Sequence, residues 1–212
     1  MAAARTAQDS GRDYAGLKDD APLAVLRSRA EALRDGHLFG ERLDAVLIPE
    51  TVAFATLRVG RFEITRAQYA EFDSGFKLKP GEENLPATGM GYVKAYKYVL
   101  WLAARTGRAY RLPSDEEAFQ FSKLAKPGGN TLNHWLGRFP KPDEADRVRQ
   151  TVAATLGPTA LLLTVGSLAG TRDGEQTVFD LNGNAAEWAR NAQGDGVLIG
   201  RSADQPLSLI HI

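Results

Sequence analysis

Apolar residues recur at helical spacing in several stretches of the chain and at strand spacing in only a few short ones. Between Pro22 and Leu43, Leu23, Leu26, Ala30 and Leu33 fall on one face with Arg and Glu between them, and the pattern breaks at Asp35-Gly36; this predicts a helical arm. Val59, Phe62 and Ile64 suggest a strand. Thr65-Arg66-Ala67-Gln68 follows, an arrangement in which a Thr hydroxyl and a Gln side chain each satisfy a free helix amide, so a short helix should carry Tyr69 and Phe72 inward. From Gly91 to Arg105, Tyr92, Ala95, Tyr96, Val99 and Leu102 line one face of a second helix, which should stop at a left-handed Gly107. Ser114-Asp115-Glu116-Glu117 caps a third, expected to bury Phe119 and to end at Pro127-Gly128-Gly129. After an irregular stretch, a further helix spans Asp143 to Leu156, and strand signals return only at Thr177 to Phe179 and Val197 to Ile199. Helices early, short strands late and long loops between them predict an α+β domain, because nothing alternates in the rhythm of a parallel sheet.

Composition narrows the partners more than the fold. With 212 residues and 43% hydrophobic composition, the chain suffices for one sizeable core. Lys+Arg and Asp+Glu are both 26, so no net field steers the protein to nucleic acid or to an anionic membrane, and neither partner is expected. The longest apolar runs, such as Val99 to Ala104, fall far short of the roughly 18 residues that span a bilayer, and Met1 to Ser10 has no apolar leader core; a cytoplasmic location is the default expectation. There is no Cys, hence no disulfide, no thiolate metal site and no cysteine nucleophile within these residues. His37, His134 and His211 do not converge in the pattern, so no facial iron site is expected.

Three segments in fixed order carry a resemblance: Phe62 to Tyr69, Arg105 to Phe119 with its Arg111-Leu112-Pro113 corner, and Val165-Gly166-Ser167 followed by Phe179 to Trp188. Together they resemble the formylglycine-generating (sulfatase-modifying factor) superfamily, over about Leu47 to Pro206. The resemblance implies a C-type-lectin-like fold, with a few helices around small antiparallel sheets and long irregular loops. The implied organisation is a tail and helical arm over 1–46, the domain over 47–206, and a terminal segment over 207–212. The capping motifs and the Arg-Leu-Pro corner set helix entry, and Arg105, Arg108 and Arg111 beside so many acidic residues read as structural pairs or a solvated face.

Phe179-Asp-Leu-Asn-Gly-Asn-Ala-Ala-Glu-Trp188 mixes carboxylates and small turn residues, the composition of a calcium loop. By resemblance, Asp180 and Glu187 would supply side-chain oxygens to Ca2+, and Gly183 and Ala185 backbone carbonyls. The structural alternative is a plain turn at Gly183-Asn184, with Glu187 paired to Arg190 and Trp188 filling the core. A second calcium site of the family would map onto Asn133, the carbonyl of His134, Asp146 and the carbonyl of Val148, although the Asp143 to Val148 stretch aligns only with a shift.

The family's oxidases bind copper through a reactive Cys pair after a Gly-Gly-Ser segment. Its counterpart here is Gly200-Arg201-Ser202, with Gln205 near the first Cys, and an amide supplies no thiolate ligand. The expectation is therefore a non-oxidase binding or accessory domain with a protein or small ligand as partner, a monomeric unit within a longer bacterial chain. The alternative is a formylglycine-generating-type oxidoreductase whose cysteines follow Pro206. Leu207-Ser208-Leu209-Ile210-His211-Ile212 is the in-frame translation of a transposon end used in sequencing-library preparation and is read as adapter-encoded; a native terminal strand with alternating faces is the other reading.

Overall fold

The computed structural model describes residues 37–125, 131, 142–168, 170–181, 183–200 and 202–203. The arm before residue 37, the Pro127-Gly128-Gly129 stop, Asn133, His134, Gln205 and the segment from Leu207 lie outside the described residues. The compact unit runs from Leu38 onward. It is α+β: among the described residues, four helices accompany four two-stranded antiparallel sheets.

The strands are β1 (Glu41–Leu43), β2 (Val46–Ile48), β3 (Thr51–Phe54), β4 (Leu57–Gly60), β5 (Thr171–Asp173), β6 (Gln176–Val178), β7 (Glu187–Arg190) and β8 (Gly196–Ile199). Each pairs with its neighbour in sequence, as in Val52 opposite Val59 and Trp188 opposite Leu198. The helical arm expected as far as Leu43 is thus replaced at its end by the β1-β2 hairpin, where Asp44 and Ala45 take positive φ and make the turn that ends helical periodicity. The strand expected through Val59, Phe62 and Ile64 stops at Gly60. Beyond it the chain bends at Arg61 and Phe62, and the Arg61 carbonyl accepts the Phe179 N–H at 2.9 Å.

Helix α1 (Arg66–Phe72) begins with the anticipated reciprocal cap: Thr65 Oγ1 accepts the Gln68 N–H at 3.2 Å, and Gln68 Oε1 accepts the Thr65 N–H at 3.0 Å. Helix α2 (Tyr92–Thr106) ends at Gly107 with φ 67°, a conformation that glycine adopts without a Cβ clash. Helix α3 (Asp115–Leu124) carries the Ser114–Glu117 cap, and Glu117 also takes a two-pronged ion pair from Arg111 at 2.6 and 2.7 Å. Helix α4 spans Pro142–Leu156.

One core cluster gathers Ile48 from β2, Tyr69 from α1, and Tyr98 and Leu102 from α2; a second gathers Val52, Phe54 and Val178 from the β3 and β6 hairpins. Two assignments shift by a residue or two. Tyr98, not Tyr96, is the deeply buried tyrosine of α2, and Phe119 is 47% exposed while Phe121 takes the core place, edge-on to Phe54 at 5.8 Å. A short helix loosely wrapped on hairpins presents a different face from the one its cap suggests, because tertiary packing sets the angle at which it rests. No helix among the described residues is long and apolar enough to cross a membrane.

Candidate functional site

The three motif segments, far apart in sequence, meet in space. Phe62 stacks on Phe179 at 5.2 Å, the Arg190 N–H donates to the Pro113 carbonyl at 2.9 Å, and Glu63 reaches the 184–185 turn. What brings them together is the irregular loop after β6. Asp180, Gly183 and Asn184 all have positive φ (62°, 103° and 72°), so the chain coils back on itself and directs its polar groups inward before β7 begins.

Asn184 is the hub of this loop and is fully buried. Its Oδ1 accepts the Leu163 N–H at 2.8 Å, its Nδ2 donates to the Leu163 carbonyl at 3.1 Å and to Glu63 Oε2 at 2.7 Å, and its own carbonyl accepts the Ala203 N–H at 2.9 Å. Four segments are therefore tied through one amide side chain and its backbone. Such a group satisfies backbone polar atoms that no secondary structure reaches, which long loops otherwise leave unpaired.

Around the hub stand three carboxylates. Asp180, 2% exposed, accepts backbone N–H groups from Gly166, in a short contact, and from Leu168 at 3.4 Å, which fixes the Val165-Gly166-Ser167 turn. Glu63 accepts from Asn184 and from the Ala185 N–H, both at 2.7 Å. Glu187 starts β7, half-buried, and Gly200 packs against it: a Cβ at Gly200 would lie 2.5 Å from Glu187 Oε2, and Gly200 has φ 90°. The positive φ favours glycine there, and a Cβ would make the Glu187 carboxyl group shift.

The electrostatics follow from burial. Loss of hydration, reinforced by Asp180, pushes the Glu187 carboxyl up to about 8. Loss of hydration, with Asp180 and Glu187 adding to it, raises Glu63 well above the ordinary carboxyl value despite its two hydrogen bonds. No Lys, Arg or His among the described residues offsets either group.

Of the four candidate ligands, Asp180 and Glu187 share this acidic environment, while Gly183 and Ala185 lie buried in the loop between them. The alternative pairing of Glu187 with Arg190 does not form: three residues apart in a strand, the two side chains point to opposite faces, and Arg190 makes no contribution at Glu187. Trp188 is half-buried and does not fill the core. Its indole N–H donates to the Met90 carbonyl at 3.2 Å and its ring packs at 5.8 Å from Tyr92.

The second mapped site does not assemble from its described members. Asp146 is exposed on α4 and pairs with Arg149 at 2.8 Å, and Val148 lies within the same helix. Among the described residues no three His, Asp or Glu side chains are gathered closely enough to hold a metal ion between them, so a cation here would depend on backbone carbonyls as well as carboxylates. The donors these residues offer are oxygens, which suit a hard cation of the calcium type and not a soft one.

Glu63 escapes a reading of the sequence because its neighbours Phe62 and Ile64 both read as inward, which makes the residue between them solvent-facing in any strand. The signal that could have found it is its place beside a break in strand pairing, after Gly60, where alternation no longer holds. No protein-family model matches the chain, and no curated protein matches it.

Proposed function

We propose that this chain is a non-oxidase binding or accessory domain of the sulfatase-modifying factor type, built on a C-type-lectin-like scaffold, with a calcium ion stabilising the 180–187 loop. Asp180 and Glu187 would give side-chain oxygens and Gly183 and Ala185 carbonyls. The observation that carries this reading is that Asp180, Glu187 and Glu63 lie close enough in one dehydrated region for Asp180 and Glu187 to raise the Glu63 carboxyl and for Asp180 to raise that of Glu187. Burying like charges side by side is unfavourable, and protonation or a cation relieves it. The convergence of the three motif segments supports the family reading, and the absence of cysteine from these 212 residues supports a role other than thiolate oxidation.

The test is thermal melting in chelator and in calcium. A cation present at a hundred times its dissociation constant stabilises by about 2.7 kcal/mol, which raises the melting temperature of a domain this size by roughly 5–10 °C. Glu187→Gln should abolish that rise while leaving the chelator-treated protein about as stable as wild type, since it replaces a carboxyl that stays protonated below about pH 8 by a neutral amide of the same shape. A wild-type melt indifferent to calcium overturns the calcium reading.

A further inference from the structure

A half-open cavity of about 540 Å3 lies between α4 and residues 184–188, bordered by the 87–90 and 157–162 segments. We propose that it binds a small aromatic carboxylate or sulfonate, and so names the kind of ligand for the binding role inferred above, on which it rests. The volume falls within the range of small-molecule sites, roughly 300–1,000 Å3. Its walls are apolar, with Met90, Val152, Leu161, Leu162, Trp188 and Leu198 among them. None of these six is buried, and Leu198 is 52% exposed, so the cavity presents hydrocarbon to solvent, and covering such surface gains about 25 cal/mol per Å2.

Two features choose the ligand's chemistry. Trp188 is a flat wall set in place beforehand by its bond to the Met90 carbonyl and by its packing on Tyr92, which favours a planar ring and removes the ordering penalty of a loose side chain. Arg149 is the one charged residue among the described lining residues. It is 41% exposed and held by Asp146 at 2.8 Å in a surface pair of the kind that is worth under about 1 kcal/mol, so the guanidinium can turn from Asp146 to a ligand carboxylate at little penalty. Gln150, exposed on the same helix, and Ser202 also line the cavity and carry polar groups.

The test titrates the full chain with two fluorescent probes of similar shape, anionic anilinonaphthalenesulfonate and neutral phenylnaphthylamine. One-site binding of both is expected, with the anion the tighter. Ala153→Trp, at an exposed position of α4 that lines the cavity, should weaken both probes at least about tenfold. Should that variant not fold by circular dichroism, Gln150→Trp on the same helix takes its place. Arg149→Gln should weaken the anion about fivefold, the equivalent of one half-exposed charge contact, and leave the neutral probe unchanged. Absence of wild-type binding, or binding unaffected by filling the cavity, overturns the proposal; an Arg149→Gln variant that treats both probes alike overturns its anionic part. The calcium melts on the same samples keep the two readings apart, since loss of probe binding with the calcium shift intact refutes the cavity alone.

Discussion

Replacing Asn184 by Ala removes three side-chain hydrogen bonds at a position of zero exposure. The Leu163 N–H and carbonyl lose their partners inside the protein, and an unsatisfied buried backbone group is unfavourable by about 1–3 kcal/mol. Glu63 loses one of its two donors, and alanine at φ 72° adds about 1 kcal/mol relative to asparagine, whose polar side chain tolerates that region. Water entering the vacated space offsets part of this, leaving an expected loss of about 3–5 kcal/mol. Asn184→Asp isolates the chemistry from the shape. It puts an oxygen where Nδ2 stands, 2.7 Å from Glu63 Oε2 and 3.1 Å from the Leu163 carbonyl, so at neutral pH it should be destabilised as much as the alanine variant and should recover on acidification, when a protonated carboxyl can donate. Asn184→Gly keeps the left-handed backbone and should fall short of the alanine loss by about the conformational part. Urea unfolding followed by circular dichroism at pH 5 and pH 7 measures all three. An alanine variant within about 1 kcal/mol of wild type at unchanged denaturant slope, or an aspartate variant indifferent to pH, would refute the view of Asn184 as the hub.

Two further outcomes follow from the carboxylates. Because the folded state holds the Glu187 proton up to about 8 and the unfolded state releases it near 4.5, stability in chelator should be full below pH 4.5 and be lost as pH rises toward 8, by roughly 5 kcal/mol at most, with Glu63 acting in the same direction. Saturating calcium favours the ionised carboxyls and should flatten or reverse that slope; parallel pH profiles with and without calcium would show that these groups do not meet the cation. Gly200→Ala forces a Cβ against Glu187 and a side chain into φ 90°, so it should lose about 1–3 kcal/mol and blunt the calcium shift in the same melts, whereas a neutral variant would mean that this contact yields easily.

Much of the secondary structure was legible because its causes are local. Thr65–Gln68 and Ser114–Glu117 cap helices through atoms three residues apart, and Gly107 ends α2 by its own backbone freedom, so each pattern carries its explanation within one turn. The β1-β2, β3-β4 and β5-β6 hairpins were harder. Strands of three or four residues are too short for alternation to rise above chance; the first two turns use Ala45 and Ala55 at positive φ, residues that announce no turn by composition, whereas the third turns at Asp173-Gly174, a hairpin signal the sequence does carry, with Gly174 at φ 58°. Tyr98 and Phe121 displaced Tyr96 and Phe119 because a helical stripe is wide, and which of its edges is buried depends on partners elsewhere in the chain.

The candidate site divides along the same line. Asp180 and Glu187 stand in one short segment and could be singled out by composition, yet their unusual chemistry comes from Glu63, more than a hundred positions earlier, and from Gly200, which follows β8. Neither has a local reason to be where it is. Glu63 is held by Asn184 and Ala185, the same two residues that line the cavity, so the turn has the acidic cluster on one side and apolar space on the other. A cation that neutralises the first would stiffen a wall of the second, and a ligand in the second would hold the turn that a cation needs. By linkage the two must then favour each other by the same factor. With Asp180, Gly183 and Asn184 left-handed, the loop before β7 coils tightly enough to join two surfaces that no single helix or strand could shape together.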